Sequence, residues 1–310
     1  MRVGTCFCVC VYSVCAMKNK VKASTIVITG IVTTVAISAG LAVGLIFGKV
    51  MSSKGGNPED IIVDPGLEDD YEALMNRYKE DSTKSNYRPY ELANISWLKF
   101  AELEHTHTVT HGLVDAGMVK QKIFAHDVRV ENLFFTESLS YSDLKKCGVR
   151  LFQDPNGVDT YFGSNIKSDG TASWSEDNKE SNTFAEHENK WGKTLDRPII
   201  YIISSQTVTG ETLTESDGNY VIDLDLDPIK SVQRYKKQMI SISNLEDEPT
   251  FHSVHVRFTL DGDLNLNKFE VKEAYTVYVF GKNNSTATLT QEFYRESDEQ
   301  IPGLHDNYKY

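Results

Sequence analysis

Three histidines, His105, His107 and His111, sit at odd positions in one short stretch, and side chains two or four apart on an extended chain share a face. That spacing suits zinc, which takes imidazole nitrogens in a tetrahedral set. No carboxylate stands between them to complete a set, and a solvent-facing Thr/His row is the simpler reading. Asp223, Asp225 and Asp227 form a second same-parity row, opposite Ile222, Leu224 and Leu226. Carboxylates on a strand lack the looping backbone that gives calcium its carbonyl ligands, so this row reads as a solvated face ending in a helix cap. Asp261-Gly262-Asp263 has the look of a calcium loop but no distant bidentate Glu follows, and a hairpin turn accounts for it.

Four of the five cysteines, Cys6, Cys8, Cys10 and Cys15, crowd the front of the chain without the paired spacing of a zinc site. The fifth, Cys147, stands alone, so an internal disulfide is not expected. Nucleophile elbows, phosphate loops and HExxH helices are absent from the sequence. No catalytic residue, metal ligand or cofactor is assigned, and the balance tips toward binding over catalysis. A hydrolase with scattered catalytic residues is the weakest of the readings.

The elements that would carry a binding site begin with a membrane anchor. Residues 25–47, TIVITGIVTTVAISAGLAVGLIF, hold no charge and span roughly 34 Å as a helix, enough to cross a bilayer. Lys18, Lys20 and Lys22 precede the run, which places the N-terminus in the cytoplasm and the rest outside it. Met17 opens a layout typical of such an anchor, so residues 1–16 read as an over-extended start and 17–50 as basic head and anchor. A signal peptide is the alternative, but the apolar run outlasts the usual core of one. Residues 51–85 read as an acidic linker with a stalk helix whose stripe is Leu67, Tyr71, Leu74 and Tyr78.

One extracytoplasmic domain is expected over 86–310. Pro89 opens an amphipathic helix through Tyr90, Leu92, Ile95, Trp97, Leu98 and Ala101. A β-rich stretch follows with a turn at Asp115 to Gly117, then a hairpin about Asp154-Pro155-Asn156-Gly157. Residues 164–194 are polar and read as a long excursion with one short helix. Strands resume at RPIIYIISSQTVTGETLT. Tyr220, Ile222, Leu224 and Leu226 then lead into a helix over 228–241, capped by Asp227, with Ile229, Val232, Tyr235, Met239 and Ile240 on its buried stripe. The last third is all strand, with turns at 261–263 and 282–284. Helices that interrupt strands rather than alternate with them predict an α+β class: a transmembrane helix followed by one domain with a large curved antiparallel sheet packed on two or three helices.

The net charge of −12 argues against nucleic acid, whose binders carry a basic face. A broad sheet with so few helices must close on itself or leave an apolar concavity. Tyr220, Ile222, Leu224, Leu226, Val254, Val256, Phe258 and Leu260 are the candidate inner face, with plain core packing as the competing reading.

The order YVIDLDLDPIKSVQRYKKQM then FHSVHVRFTLDGDLNLNKFEVKEAYTV, after a leading helix and the early strands GLVDAGMVKQKIF, resembles the bacterial lipoprotein-carrier and lipid-binding lipoprotein superfamily across residues 87–295. The polar excursion at 164–194 departs from that pattern. The resemblance implies a half-open curved sheet, wrapped round helices, that holds lipid or presents a concave face to a protein. Together these readings give a single-pass bacterial cell-membrane protein whose outer domain binds a lipid or other hydrophobic envelope ligand. The alternative is a non-enzymatic sensor or scaffold that docks another envelope protein.

Overall fold

A computed structural model describes residues 60–310 apart from 118, 144–145, 193–194, 196, 244–246 and 279–281. Residues 1–16, expected to be an over-extended start, with their cysteine cluster, and the apolar run at 25–47 lie outside the described residues. Among the described residues no helix is long and apolar enough to cross a membrane.

Eleven strands among the described residues form one sheet in which every neighbouring pair is antiparallel. The first half is a meander: β1 (His105–Asp115), β2 (Lys120–Val130), β3 (Leu133–Tyr141), β4 (Lys146–Asp154), β5 (Gly157–Phe162) and β6 (Lys179–Asn182). The second half holds β7 (Val208–Ser216), β8 (Asn219–Leu226), β9 (Thr250–Leu260), β10 (Leu266–Tyr278) and β11 (Lys282–Arg295). The order is β6-β5-β4-β3-β2-β1-β11-β10-β9-β8-β7, so the halves join where the first strand meets the last.

Among the described residues four α-helices accompany the sheet, α1 (Tyr71–Glu80) in the segment expected to hold the stalk helix and three within 86–310, in line with the two or three expected there: α2 (Pro89–Ala101), α3 (Phe184–Trp191) and α4 (Gln233–Ser243). In α2 the Glu91 carboxylate accepts from the Arg88 backbone N–H, Pro89 occupies the first turn, and Leu92, Ala93 and Ile95 are fully buried. It packs on β7, β8 and β10. In α1, Leu74 and Met75 are buried in the same core, and Arg77 is paired with Glu91 of α2 at 2.5 Å. That helix therefore lies on the domain rather than standing off as a stalk.

The hairpin at 154–157 forms as its residues dictate: Asp154 Oδ1 accepts from the N–H of Asn156 (2.7 Å) and of Gly157 (3.2 Å), closing a two-residue turn between β4 and β5. Two boundaries differ from expectation. α4 begins at Gln233, not Pro228, because Asp227 Oδ1 accepts from Ile229 N–H (2.8 Å) and Lys230 N–H (3.0 Å) and holds 228–232 as a turn. Ile229 is accordingly exposed, while Val232, Tyr235, Met239 and Ile240 are buried. Residues 282–284 begin β11, pairing Lys282 with Tyr278 and Asn283 with Val277, instead of forming the turn.

The largest departure is the run Ile199-Ile200-Tyr201-Ile202-Ile203. It reads as a strand but joins no ladder: β7 starts only at Val208, and all five residues are buried in succession as an interior strap. Its polar backbone is met by single partners. Ile202 N–H donates to Ser231 O (2.9 Å), Asn94 Nδ2 to Ile203 O (2.9 Å) and Thr207 Oγ1 to Ile202 O (2.7 Å).

Candidate functional site

Cross-strand partners share a face of the sheet, so the registers sort every strand into an inner side, toward the helices and strap, and an outer side. The eight sequence candidates all fall on the inner side. Ile222 pairs with Phe258, Leu224 with Val256, Leu226 with Val254 and Tyr220 with Leu260. Seven are buried and Tyr220 is half-buried, and all belong to one apolar cluster with residues of α1, α2, α4 and the strap.

Across β10 the inner row Phe269, Val271, Glu273, Tyr275 and Val277 carries one carboxylate among apolar side chains. Glu273 accepts from Tyr201 Oη of the strap at 2.7 Å and from Tyr235 Oη of α4 at 3.1 Å. Burial pushes its pKa from 4.5 to about 7, against the lowering effect of the two hydroxyls. Burial likewise raises Tyr201, Tyr235 and Tyr275 well above the usual phenol value.

Beyond β10 the inner face turns polar. By register Gln291 of β11, Thr110 of β1, Ala125 of β2 and Ser138 of β3 lie side by side, with Ser140 next along β3 and Ser285 paired to Tyr275. Thr110 Oγ1, Ser138 Oγ, Ser140 Oγ, Ser285 Oγ, Tyr275 Oη and Gln291 Oε1 have no hydrogen-bond partner among the described residues, and all six residues are buried. Each such group costs about 1–3 kcal/mol if nothing meets it. Apolar walls flank this seam: the main cluster on one side, and on the other Val149, Leu151, Val158, Trp191 and Leu195.

The seam opens at one end of the strands into a cavity of about 40 Å³ between Phe100, Thr108, Phe134, Leu195, Pro198 and Gln291. There Gln291 Nε2 donates to Thr108 Oγ1 (3.2 Å), which donates to Asp127 Oδ2 (2.6 Å). The space suits a water or two rather than a lipid.

The other sequence candidates lie on the outer side. His255 bridges Asp225 (Nδ1 to Oδ1, 2.9 Å) and Asp223 (Nε2 to Oδ1, 3.0 Å), and Arg257 pairs with Asp223 at 2.7 Å, making a surface ladder. His107 stacks on Tyr294 with ring centroids 4.3 Å apart. Asp261 accepts from the N–H of Asp263 and of Asn265, both at 2.9 Å, and so holds the β9–β10 turn.

Sequence reasoning missed Glu273, though a lone acid at an apolar-parity position of β10 was a readable signal. It also missed the polar seam, whose threonines and serines look like any solvated strand face.

No family model matches the sequence, and no curated protein matches it. Solved structures do. The chain is similar to LprF from Mycobacterium bovis. That likeness has 8% identity and a TM-score of 0.37, covering 70% of this chain and 97% of that one. A DUF1329 family protein from Desulfovibrio piger is similar at 11% identity and a TM-score of 0.27, covering 68% and 93%. A putative outer membrane lipoprotein-sorting protein domain from Vibrio parahaemolyticus follows at 10% identity and 0.26, also covering 68% and 93%. At TM-scores below 0.5 the likeness says nothing of ligand or mechanism.

Proposed function

We propose that this chain is a membrane-anchored extracytoplasmic binding protein, tethered by residues 25–47, whose interior takes an amphiphilic envelope ligand. Tyr220, Ile222, Leu224, Leu226, Val254, Val256, Phe258 and Leu260 form the apolar wall. The seam of Thr110, Ser138, Ser140, Ser285 and Gln291 meets an uncharged polar portion of the ligand. The observation that carries this reading is the row of buried hydroxyl and amide atoms without partners among the described residues, running between two apolar clusters. Neutral donors and acceptors of this kind suit a hydroxyl- or amide-bearing headgroup. Loading requires Leu195 and Pro198, which precede the strap, to move off the 40 Å³ mouth.

The test is native mass spectrometry and solvent extraction of the full chain purified in mild detergent. A stoichiometric uncharged amphiphile, lost on Thr110→Val with Ser138→Ala, is the expected result. Protein that carries no such species, and gains no thermal stability from a panel of neutral glycolipids, refutes the reading.

A further inference from the structure

Beyond β11 the chain holds no helix or strand, yet it lies along the outer face of β2 to β5 in well-defined contacts. Arg150 of β4 and Glu137 of β3 are paired at 2.5 Å, with only 1% of each side chain exposed. The guanidinium also donates to the backbone oxygens of Gly303 (3.3 Å), Leu304 and Asp306. The other Glu137 oxygen accepts from Tyr310 Oη at 2.7 Å. Tyr308 stacks on His126 with centroids 3.8 Å apart, and Leu304 and Tyr310 pack against the cluster of Leu139, Tyr161, Ile166 and Trp174.

This is how a peptide receptor is built. A fixed guanidinium reads main-chain carbonyls whatever the sequence, and a buried carboxylate selects a phenolic hydroxyl. A buried ion pair is expensive to desolvate, and here the tail supplies the carbonyls that complete it. The fit is imperfect, however. A cavity of about 320 Å³ remains between tail and sheet, bordered by His126, Phe135, Ile301, Pro302 and Tyr308. His126 is 2% exposed and neither ring nitrogen has a partner among the described residues. Burial, with His107 and Arg150 nearby, lowers its pKa to about 3, so the ring is neutral and offers one donor and one acceptor.

We propose that the outer face of β2 to β5 is a peptide-recognition groove, occupied in cis by residues 301–310. Its partner is an extended segment of another protein, with a tyrosine at the place of Tyr310 and a polar side chain that fills the cavity at His126. This proposal does not depend on the interior ligand.

The probe is a fluorescent peptide of residues 299–310 added to the full chain, read by anisotropy. Tyr308→Ala with Tyr310→Ala in the chain loosens the tail and frees the Glu137 oxygen that Tyr310 occupies while keeping the Arg150–Glu137 pair, and is expected to bind the peptide at least tenfold more tightly than the parent. A peptide carrying Ile301→Gln should bind several-fold tighter again, and His126→Phe in the chain should erase that gain. No binding to the loosened, cooperatively folding variant overturns the proposal. Equal affinity of the two peptides overturns it too, leaving a second copy of this chain as the fitting occupant. If the loosened variant does not fold, hydrogen exchange of the parent decides. Tail amides should open before those of β2 to β5 and exchange faster with excess peptide, and exchange only through global unfolding is the contrary result.

Discussion

Tyr201 Oη lies 2.7 Å from Glu273 Oε2, and both residues are sealed from solvent, so strap and sheet are joined through a titrating carboxyl in the core. Its folded pKa of about 7 lies above the 4.5 of a free Glu. The folded protein therefore keeps a proton that the unfolded chain releases. The contribution is whole below pH 4.5 and is lost as pH rises to 7, about 3 kcal/mol in all. Glu273→Gln should remove that loss. The stability difference between variant and parent, from urea unfolding at several pH values, should grow in the variant's favour from pH 4.5 to 7 and then level off.

Glu68 behaves in the opposite sense. Burial works to raise its pKa, but hydrogen bonds and charge from Arg234 (Nη1 to Oε1, 2.5 Å; Nη2 to Oε2, 2.8 Å) and from Arg197 bring it down to about 2. Its stabilisation is full above pH 4.5 and vanishes as pH falls toward 2. Because the site is partly open to solvent, Glu68→Gln should cost only about 1–2 kcal/mol at pH 7. Guanidinium unfolding at pH 7 and pH 2.5 should show the gap closing at the lower pH.

Thr110→Val swaps a buried hydroxyl without a partner among the described residues for a methyl of the same shape. The ligand-free protein should gain up to about 1 kcal/mol. Loss of co-purifying amphiphile alongside that gain would tie the hydroxyl to binding rather than folding.

Gly192 ends α3 in a left-handed conformation, φ +79°, and a Cβ there would sit 2.5 Å from the backbone oxygen of Arg234. Gly192→Ala should destabilise by about 2–4 kcal/mol, through backbone strain and a forced shift of α3 from α4. Thermal unfolding measures it.

Much of this architecture was readable where local chemistry is decisive. Pro89 starts α2, Asp154 to Gly157 close their hairpin, and Asp227 caps a turn at the end of β8. The run at 199–203 was not, because β-branched residues favour any extended buried backbone, and only the surrounding helices decide between ladder and strap. The same limit hid the polar seam. In β2 to β5 the excursion and the tail cover the outer face while helices cover the inner one. Apolar side chains such as Leu139 and Val149 therefore occur on both sides, and alternation no longer marks which way is in. On β8 and β9, whose outer face is solvated by Asp223, His255 and Arg257, alternation stays clean and the eight inner-face residues could be picked out.

The pairing of β1 with β11 sets a timetable for biogenesis. Thr106 cannot meet Arg295 until residue 295 has been synthesised, so the first meander must wait with an unsatisfied edge. A chain arrested before its last strand should cling to holdase chaperones, and completed protein should mature slowly, its rate governed by a single long-range closure.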